Sequence, residues 1–144
     1  MIYTKLTIRA MQLAYNAHKG QVDKGGAPYI IHPLYVAEQM TDELSTVVAL
    51  LHDTVEDTAV TIKDIQNQGY PYEVVEALAL LTKPRNVSYM DYIVRIKTNV
   101  IATKVKIADL KHNMMLTRLV GVGVTEKDRI RIQKYAQALK YLSN

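Results

Sequence analysis

The middle of the chain contains the stretch Leu44-Ser45-Thr46-Val47-Val48-Ala49-Leu50-Leu51-His52-Asp53-Thr54-Val55-Glu56-Asp57. Its first half is apolar enough to predict a buried helix, and four groups able to bind a metal or a proton follow. Residues four apart share one face of a helix, so His52 aligns with Glu56 and Asp53 aligns with Asp57. Carboxylates at the end of an apolar helix repel each other unless a cation or strong donors compensate. Taken alone, the stretch fits a metal or proton-transfer site and an acidic helix end facing solvent equally well.

Helical periodicity extends over most of the remaining sequence, and Ser88 with Asp91 and Thr125 with Asp128 have the spacing of capping boxes. The predicted helices cover residues 4–18, 33–40, 44–55, 61–66, 71–81, 88–97, 99–119 and 125–142. The sequence therefore predicts an all-α fold, a compact bundle of about seven to eight helices. A length of 144 residues predicts a single domain, 1–144.

Composition restricts the chemistry. The chain contains four His and no Cys, which excludes disulfides, thiolate zinc sites, iron–sulfur clusters and a Cys nucleophile. A metal site must therefore use His, Asp and Glu. The sequence has no apolar run of the roughly 18 residues that span a membrane, and its start lacks the apolar core of a signal peptide. We therefore expect a cytoplasmic protein with no membrane partner.

Charge is distributed unevenly along the chain. Residues 1–82 carry five basic and ten acidic side chains, net −5, whereas residues 83–144 carry 13 basic and four acidic ones, net +9. This division fits an acidic metal-binding half against a basic half that receives phosphate, and solvated helix faces give similar numbers. The basic residues are dispersed along helices rather than clustered among exposed aromatics, so we expect no DNA or RNA partner.

A second candidate ligand lies in the segment Pro28-Tyr29-Ile30-Ile31-His32-Pro33. Pro33 suits the first turn of a helix, where its missing N–H would have no partner in any case. His32 thus lies at a helix start among apolar residues. Such a His is more often a core residue with a satisfied ring nitrogen than a metal ligand.

A third segment, Lys106-Ile107-Ala108-Asp109-Leu110-Lys111-His112-Asn113, places a carboxylate in the most apolar part of a long helix. A buried Asp109 needs a partner, which is either Lys106 three residues earlier or a metal ion. Asn113 lies one turn further along the same face, and His112 lies off to the side of this row. We interpret His112 as structural.

These segments together resemble the HD-domain metal-dependent phosphohydrolases. The resemblance is closest to the hydrolase domain of Rel/Spo-type enzymes and to the stand-alone small alarmone hydrolases, which cleave ppGpp. The motifs that carry it are His18-Lys19-Gly20-Gln21 with the following 28–33 segment, Leu51 to Thr58, and Lys106 to Asn113. They use the whole chain with their flanks, so we expect no synthetase half.

The resemblance implies one divalent metal ion, usually manganese in this branch, with iron as the other candidate for such a nitrogen and oxygen ligand set. The implied ligands are His32, His52, Asp53 and Asp109. Glu56 and Asp57 match the family's Glu-Asp pair, which orients and deprotonates the attacking water. This role needs carboxylates that are near the water but are not metal ligands.

Substrate contacts follow from the same resemblance. Asn113 matches a position that contacts the nucleotide near the ribose, and Lys24 matches a residue near the phosphates. Lys106 either contacts phosphate or neutralises Asp109, and we favour neutralisation. Asp23 stands where the family carries an Arg that stacks on guanine. A carboxylate has no planar cationic surface and repels phosphates, so Asp23 indicates an altered base pocket.

Two other residues of these motifs are interpreted as structural. His18 closes the first helix, and Tyr29 lies near the site.

The function implied is hydrolysis of a small-molecule nucleotide polyphosphate, foremost removal of pyrophosphate from the ribose 3′-oxygen of (p)ppGpp. Asp23 leaves open a second possibility, an HD phosphohydrolase acting on another nucleotide or phosphorylated metabolite. A more distant alternative is a metal- and nucleotide-binding module without catalysis.

Overall fold

The computed structural model describes residues 1–144 and confirms the predicted all-α fold. It contains nine α-helices and one short 3-10 helix, Leu116–Leu119. The α-helices are α1 (Lys5–Ala17), α2 (Ile31–Glu38), α3 (Glu43–Leu51), α4 (Thr54–Asp57), α5 (Ile62–Asn67), α6 (Tyr72–Leu80), α7 (Tyr89–Lys97), α8 (Val100–Asn113) and α9 (Glu126–Ser143). None of them is both long enough and apolar enough to cross a bilayer.

Helix starts coincide with the predicted capping residues. The Thr125 and Asp128 side chains bond each other's backbone N–H groups in a full capping box at the start of α9. The Ser88 hydroxyl accepts the Asp91 N–H at the start of α7. These bonds satisfy backbone donors that have no partner within the helix.

The predicted helix 44–55 divides into α3 and α4 at His52 and Asp53. The His52 ring donates to the Ala49 carbonyl over 2.6 Å, and the Thr54 hydroxyl donates to the Leu51 carbonyl over 2.8 Å. Side chains thus occupy carbonyls that a continuing helix would pair with backbone N–H groups. The resulting turn adds a separate, one-turn α4 to the eight predicted helical segments.

The predicted helix 99–119 was too long, because α8 ends at Asn113. The backbone turns at Met115 into the 3-10 helix and folds back over the loop that contains Gly25. A Cβ at Gly25 would lie 2.0 Å from the Arg118 carbonyl oxygen, so only glycine permits this approach. The segment after α8 thus packs closely on a loop that is distant in sequence.

α3 is the centre of the bundle and packs against α1, α2, α6 and α8. Every residue of α3 from Ser45 to Leu51 is buried, in agreement with its apolar sequence. Burial of each Leu stabilises the fold by about 1.5–3 kcal/mol. The carboxyl end of α3, which carries His52, is consequently fixed in the interior beside α2 and α8.

Candidate metal centre and adjoining pocket

Four side chains from three parts of the bundle meet at the end of α3. One ligand atom from each of them lies within 4.8 Å of the others. The four are His32 in the first turn of α2, His52 and Asp53 in the turn between α3 and α4, and Asp109 in α8. They are the four residues that the family resemblance implies as metal ligands, and all but Asp53 are buried.

The separations within this cluster suit a single cation. His32 Nε2 lies 2.9 Å from Asp109 Oδ1 and 3.3 Å from His52 Nε2. His52 Nε2 lies 3.1 Å from Asp53 Oδ2. Two imidazole nitrogens and two carboxylate oxygens are a donor set that divalent cations such as manganese and iron accept. The residues present therefore fit a divalent metal ion.

Charge in the cluster also favours a cation. Burial by itself would raise the pKa of Asp53, but the adjacent His52 lowers that pKa to about 2. Burial would likewise raise the pKa of Asp109, and Lys106 with His32 holds it well below its usual range. Burial would lower the pKa of His52, and the two carboxylates raise it well above its usual value. A metal ion would replace the proton that this anionic pocket otherwise attracts.

Further side chains hold the cluster's carboxylates. The Tyr29 hydroxyl donates to Asp53 Oδ2 over 2.6 Å, a contact that the structural interpretation of Tyr29 did not anticipate. Lys106 Nζ lies 2.8 Å from Asp109 Oδ2, as the neutralising role requires, and Asn113 Nδ2 donates to Asp109 Oδ1 over 2.9 Å. Both carboxylates are therefore fixed from outside the cluster.

Glu56 and Asp57 lie on α4, directly after the turn that carries two of the cluster residues. The Glu56 carboxylate accepts the Lys83 backbone N–H, and the Asp57 carbonyl accepts Gln21 Nε2 over 2.8 Å. Partial burial, with the nearby Asp53 charge, raises the pKa of both carboxyl groups. Neither group is needed to complete the four-residue cluster, so both are available to act on a proton.

A cavity of about 340 Å³ opens beside the cluster. Tyr29 and Asn113, which bond the cluster's carboxylates, also line this cavity, so the two spaces are adjacent. Lys24, predicted to lie near phosphates, also lines it; its side chain is 60% exposed and its Nζ lies 3.8 Å from Asp128. Lys106 instead points its ammonium group to Asp109.

The cavity wall includes a positively charged side chain, Arg118, that the sequence interpretation missed. Arg118 Nη2 lies 3.2 Å from Asp23 Oδ2, and Nη1 donates to Asn113 Oδ1 over 3.1 Å. Burial would raise the pKa of Asp23, but the Ala27 N–H and Arg118 lower it. In a helix continued to residue 119, Arg118 would lie about 140° around the helix axis from Asn113. The prediction of that longer helix therefore excluded the contact between these two side chains. Asp23 thus has a guanidinium as its direct partner.

His112 also has a contact that the sequence interpretation missed. Its Nδ1 lies 2.7 Å from Nδ1 of His32, and the two rings lie edge to edge, inclined by 7° with centroids 5.0 Å apart. Burial and the Arg118 charge lower the pKa of His112 to about 4, so the ring is neutral. His18, the other His outside the cluster, bonds Gln21 Oε1 and packs on Tyr29.

Comparison with known proteins gives consistent matches. Residues 10–127 match the family described as HD domain. "GTP pyrophosphokinase rsh" of Brucella melitensis is 36% identical over 138 residues, which cover 86% of this chain and 18% of that protein. "Bifunctional (p)ppGpp synthase/hydrolase SpoT" of Escherichia coli K12 is 31% identical over 121 residues, which cover 74% of this chain and 17% of that protein.

A solved structure shares the fold. It is described as "A metazoan ortholog of SpoT hydrolyzes ppGpp and plays a role in starvation responses". The match has a TM-score of 0.76 at 23% identity and covers 99% of this chain and 87% of that one. The two curated relatives are far longer, and this chain spans less than a fifth of their length.

Proposed function

Because this chain belongs to the HD domain family, we propose that it is a metal-dependent phosphohydrolase that removes pyrophosphate from ppGpp or a close relative. The observation that carries this proposal is the convergence of four ligand atoms within 4.8 Å beside a cavity lined by Lys24 and Arg118. The relative named for (p)ppGpp synthesis and hydrolysis, and the solved structure described as hydrolysing ppGpp, support this substrate class.

His32, His52, Asp53 and Asp109 would hold one divalent ion, for which we propose Mn²⁺, with Fe²⁺ as the second choice. Such an ion, when bound, lowers the pKa of water toward neutrality and polarises a phosphoryl oxygen. His52 is prepared for this role because its Nδ1–H donates to the Ala49 carbonyl, which leaves Nε2 as the coordinating nitrogen.

Glu56 and Asp57 are proposed as the groups that orient the attacking water and accept its proton. The bond to the Lys83 N–H fixes Glu56 at the edge of the site. In the reaction, the water oxygen forms a bond to phosphorus, and the bond between that phosphorus and the ribose 3′-oxygen breaks. The proton taken from the water goes to the departing ribose oxygen. A positioned carboxylate contributes roughly 10²–10⁴-fold to such a step.

The cavity is proposed as the nucleotide site. Lys24 is free enough to meet phosphate, and Asn113 joins the cavity to the cluster through its bonds to Asp109 and Arg118. Arg118 supplies a guanidinium that partly offsets the charge of Asp23. Lys106 is proposed to hold Asp109, since its ammonium group is already bonded there. The ligand is thus a small anionic nucleotide rather than DNA or RNA, and we propose that it is met in the cytoplasm.

A direct assay tests the proposal. The purified chain with Mn²⁺ should release pyrophosphate from ppGpp, and chelation of the metal should stop the release. Asp109→Asn is the matched inactive control, because it keeps the shape of the side chain and removes its charge. Absence of pyrophosphate release by protein shown to contain metal would overturn the assignment of ppGpp as substrate.

Asp23 supports a second candidate, an HD phosphohydrolase of another nucleotide or phosphorylated metabolite. A panel of nucleotides distinguishes the two, because the second candidate predicts faster turnover of a substrate other than ppGpp. The panel is repeated on Asp23→Arg. A preference that this variant leaves unchanged would show that residue 23 does not select the base.

A further inference from the structure

We propose that His112 is a positioning residue for the metal centre: its Nδ1 accepts the Nδ1–H of His32 and thereby directs the Nε2 lone pair of His32 to the cation. The inference rests on the proposed metal-binding role of His32. It concerns a residue outside the four ligands and outside the Glu56 and Asp57 pair.

The geometry of the two rings carries the inference. His32 Nδ1 and His112 Nδ1 are 2.7 Å apart, and both rings are buried. One proton between these nitrogens makes a hydrogen bond of ordinary length, whereas none or two would bring together two lone pairs or two N–H groups. The only choice is which ring carries that proton.

Metal binding determines which of the two rings carries the shared proton. A His that coordinates through Nε2 must leave this nitrogen unprotonated, so the neutral ring carries its proton on Nδ1. In His52 the partner of that proton is the Ala49 carbonyl, 2.6 Å away. In His32 the only side-chain partner of Nδ1 is His112. The two metal-binding rings are therefore oriented by different means, one by a backbone carbonyl and the other by a second imidazole.

The surroundings of His112 fit an acceptor. Its ring stacks on Tyr35, with centroids 4.0 Å apart, and lies edge to edge with the His32 ring, to which it is inclined by 7°. The Tyr35 ring thus holds His112 with its Nδ1 in nearly the same plane as the His32 ring, the direction that an in-plane lone pair needs to accept from His32.

Two substitutions separate hydrogen bonding from packing. His112→Phe keeps a flat ring stacked on Tyr35 but has no acceptor for His32. His112→Asn loses the ring but places an amide oxygen near the position of Nδ1. Both variants are made in the full 144-residue chain, and thermal unfolding with EDTA verifies that each is folded.

The measurement is Mn²⁺ affinity by titration calorimetry. We expect His112→Phe to bind Mn²⁺ about 10–100-fold more weakly than wild type, the usual loss when a ligand's outer partner is removed. We expect His112→Asn to recover most of this loss. Equal affinity of His112→Phe and wild type, or weaker binding by His112→Asn than by His112→Phe, would overturn the inference. Failure of the wild-type protein to bind Mn²⁺ would instead overturn the proposed function.

A second measurement needs no variant. Long-range proton–nitrogen NMR of histidine-labelled wild type, with Zn²⁺ as a diamagnetic probe, reports which ring nitrogen is protonated. His32 should carry its proton on Nδ1 and His112 on Nε2. A proton on Nδ1 of His112 in the metal-loaded protein would contradict the inference, even if His112→Phe does not fold.

Discussion

Replacement of Lys106 by Met tests whether this residue neutralises a buried carboxylate. The ammonium group lies 2.8 Å from Asp109 Oδ2, and the two side chains are 13% and 4% exposed. Burial alone would lower the pKa of Lys106, and the Asp109 charge nevertheless raises it well above its usual value. Met has similar length and packing but cannot compensate the carboxylate.

The expected cost is large. Removal of one member of a buried ion pair usually costs about 3–5 kcal/mol, since the other charge remains buried. His32 and Asn113 also bond Asp109, so we expect a value near the lower end, about 3 kcal/mol. For a chain of this length, that loss lowers Tm by roughly 6–12 °C.

Lys104→Met is a matched control on the same helix. Its ammonium group also lies 2.8 Å from a carboxylate, that of Asp42, but the side chains are 44% and 48% exposed. Exposed pairs of this kind contribute about 0–1 kcal/mol. The two pairs thus have the same length and differ in burial, so the comparison isolates the effect of burial.

The assay is urea or thermal unfolding of metal-free protein at several pH values. The pKa of Asp109 is depressed in the folded state, so its stabilising effect is present near neutral pH and is lost on acidification. Lys106→Met raises the pKa of Asp109. The difference in the free energy of unfolding between wild type and variant should therefore shrink as the pH falls through that pKa. Unchanged stability of Lys106→Met together with a raised KM for ppGpp would refute this reasoning and assign Lys106 to phosphate binding.

Three further outcomes are expected. Asp23→Asn frees Arg118 from its counter-ion and should lower the KM for ppGpp about fivefold, equivalent to about 1 kcal/mol; a higher KM would show that the carboxylate itself contacts substrate. Glu56→Gln should reduce kcat about 10²–10⁴-fold while calorimetry shows normal Mn²⁺ affinity. Because the pKa of Glu56 is raised, the activity of the wild type should decline on acidification at a higher pH than it would with an ordinary carboxylate. Tyr29→Phe removes the hydroxyl that donates to Asp53 and should cost about 1.5–3 kcal/mol in urea unfolding, and no loss of stability would exclude a structural contribution from this bond.

Local sequence patterns predicted much of the molecule. Capping residues gave the starts of α7 and α9, and apolar periodicity gave the buried α3. The structure also brings together the four side chains that the resemblance to the HD-domain phosphohydrolases implied as metal ligands. The helix starts and the buried α3 depend on neighbours within one or two helical turns, whereas the meeting of the four side chains was implied by the family resemblance and not by local pattern.

The features that could not be predicted depend on contacts between distant segments. Periodicity alone predicts a helix to residue 119, because the approach of the Gly25 loop to Arg118 cannot be inferred from the sequence of either segment. For that reason the sequence did not indicate that Arg118 is the partner of Asp23. His112 lies three residues after Asp109 and so about 60° away around the helix, and its contact with His32 requires the packing of α2 on α8.

The four proposed ligand atoms come from positions 32, 52, 53 and 109, so α2, the α3–α4 turn and α8 all contribute to one cluster. A cation bound there is a cross-link that joins segments 77 residues apart. Because the unfolded chain cannot reproduce this arrangement, a free metal concentration of 100 Kd adds about 2.7 kcal/mol to the folded state. The supply of metal would then govern how long each molecule survives proteolysis as well as how fast it works.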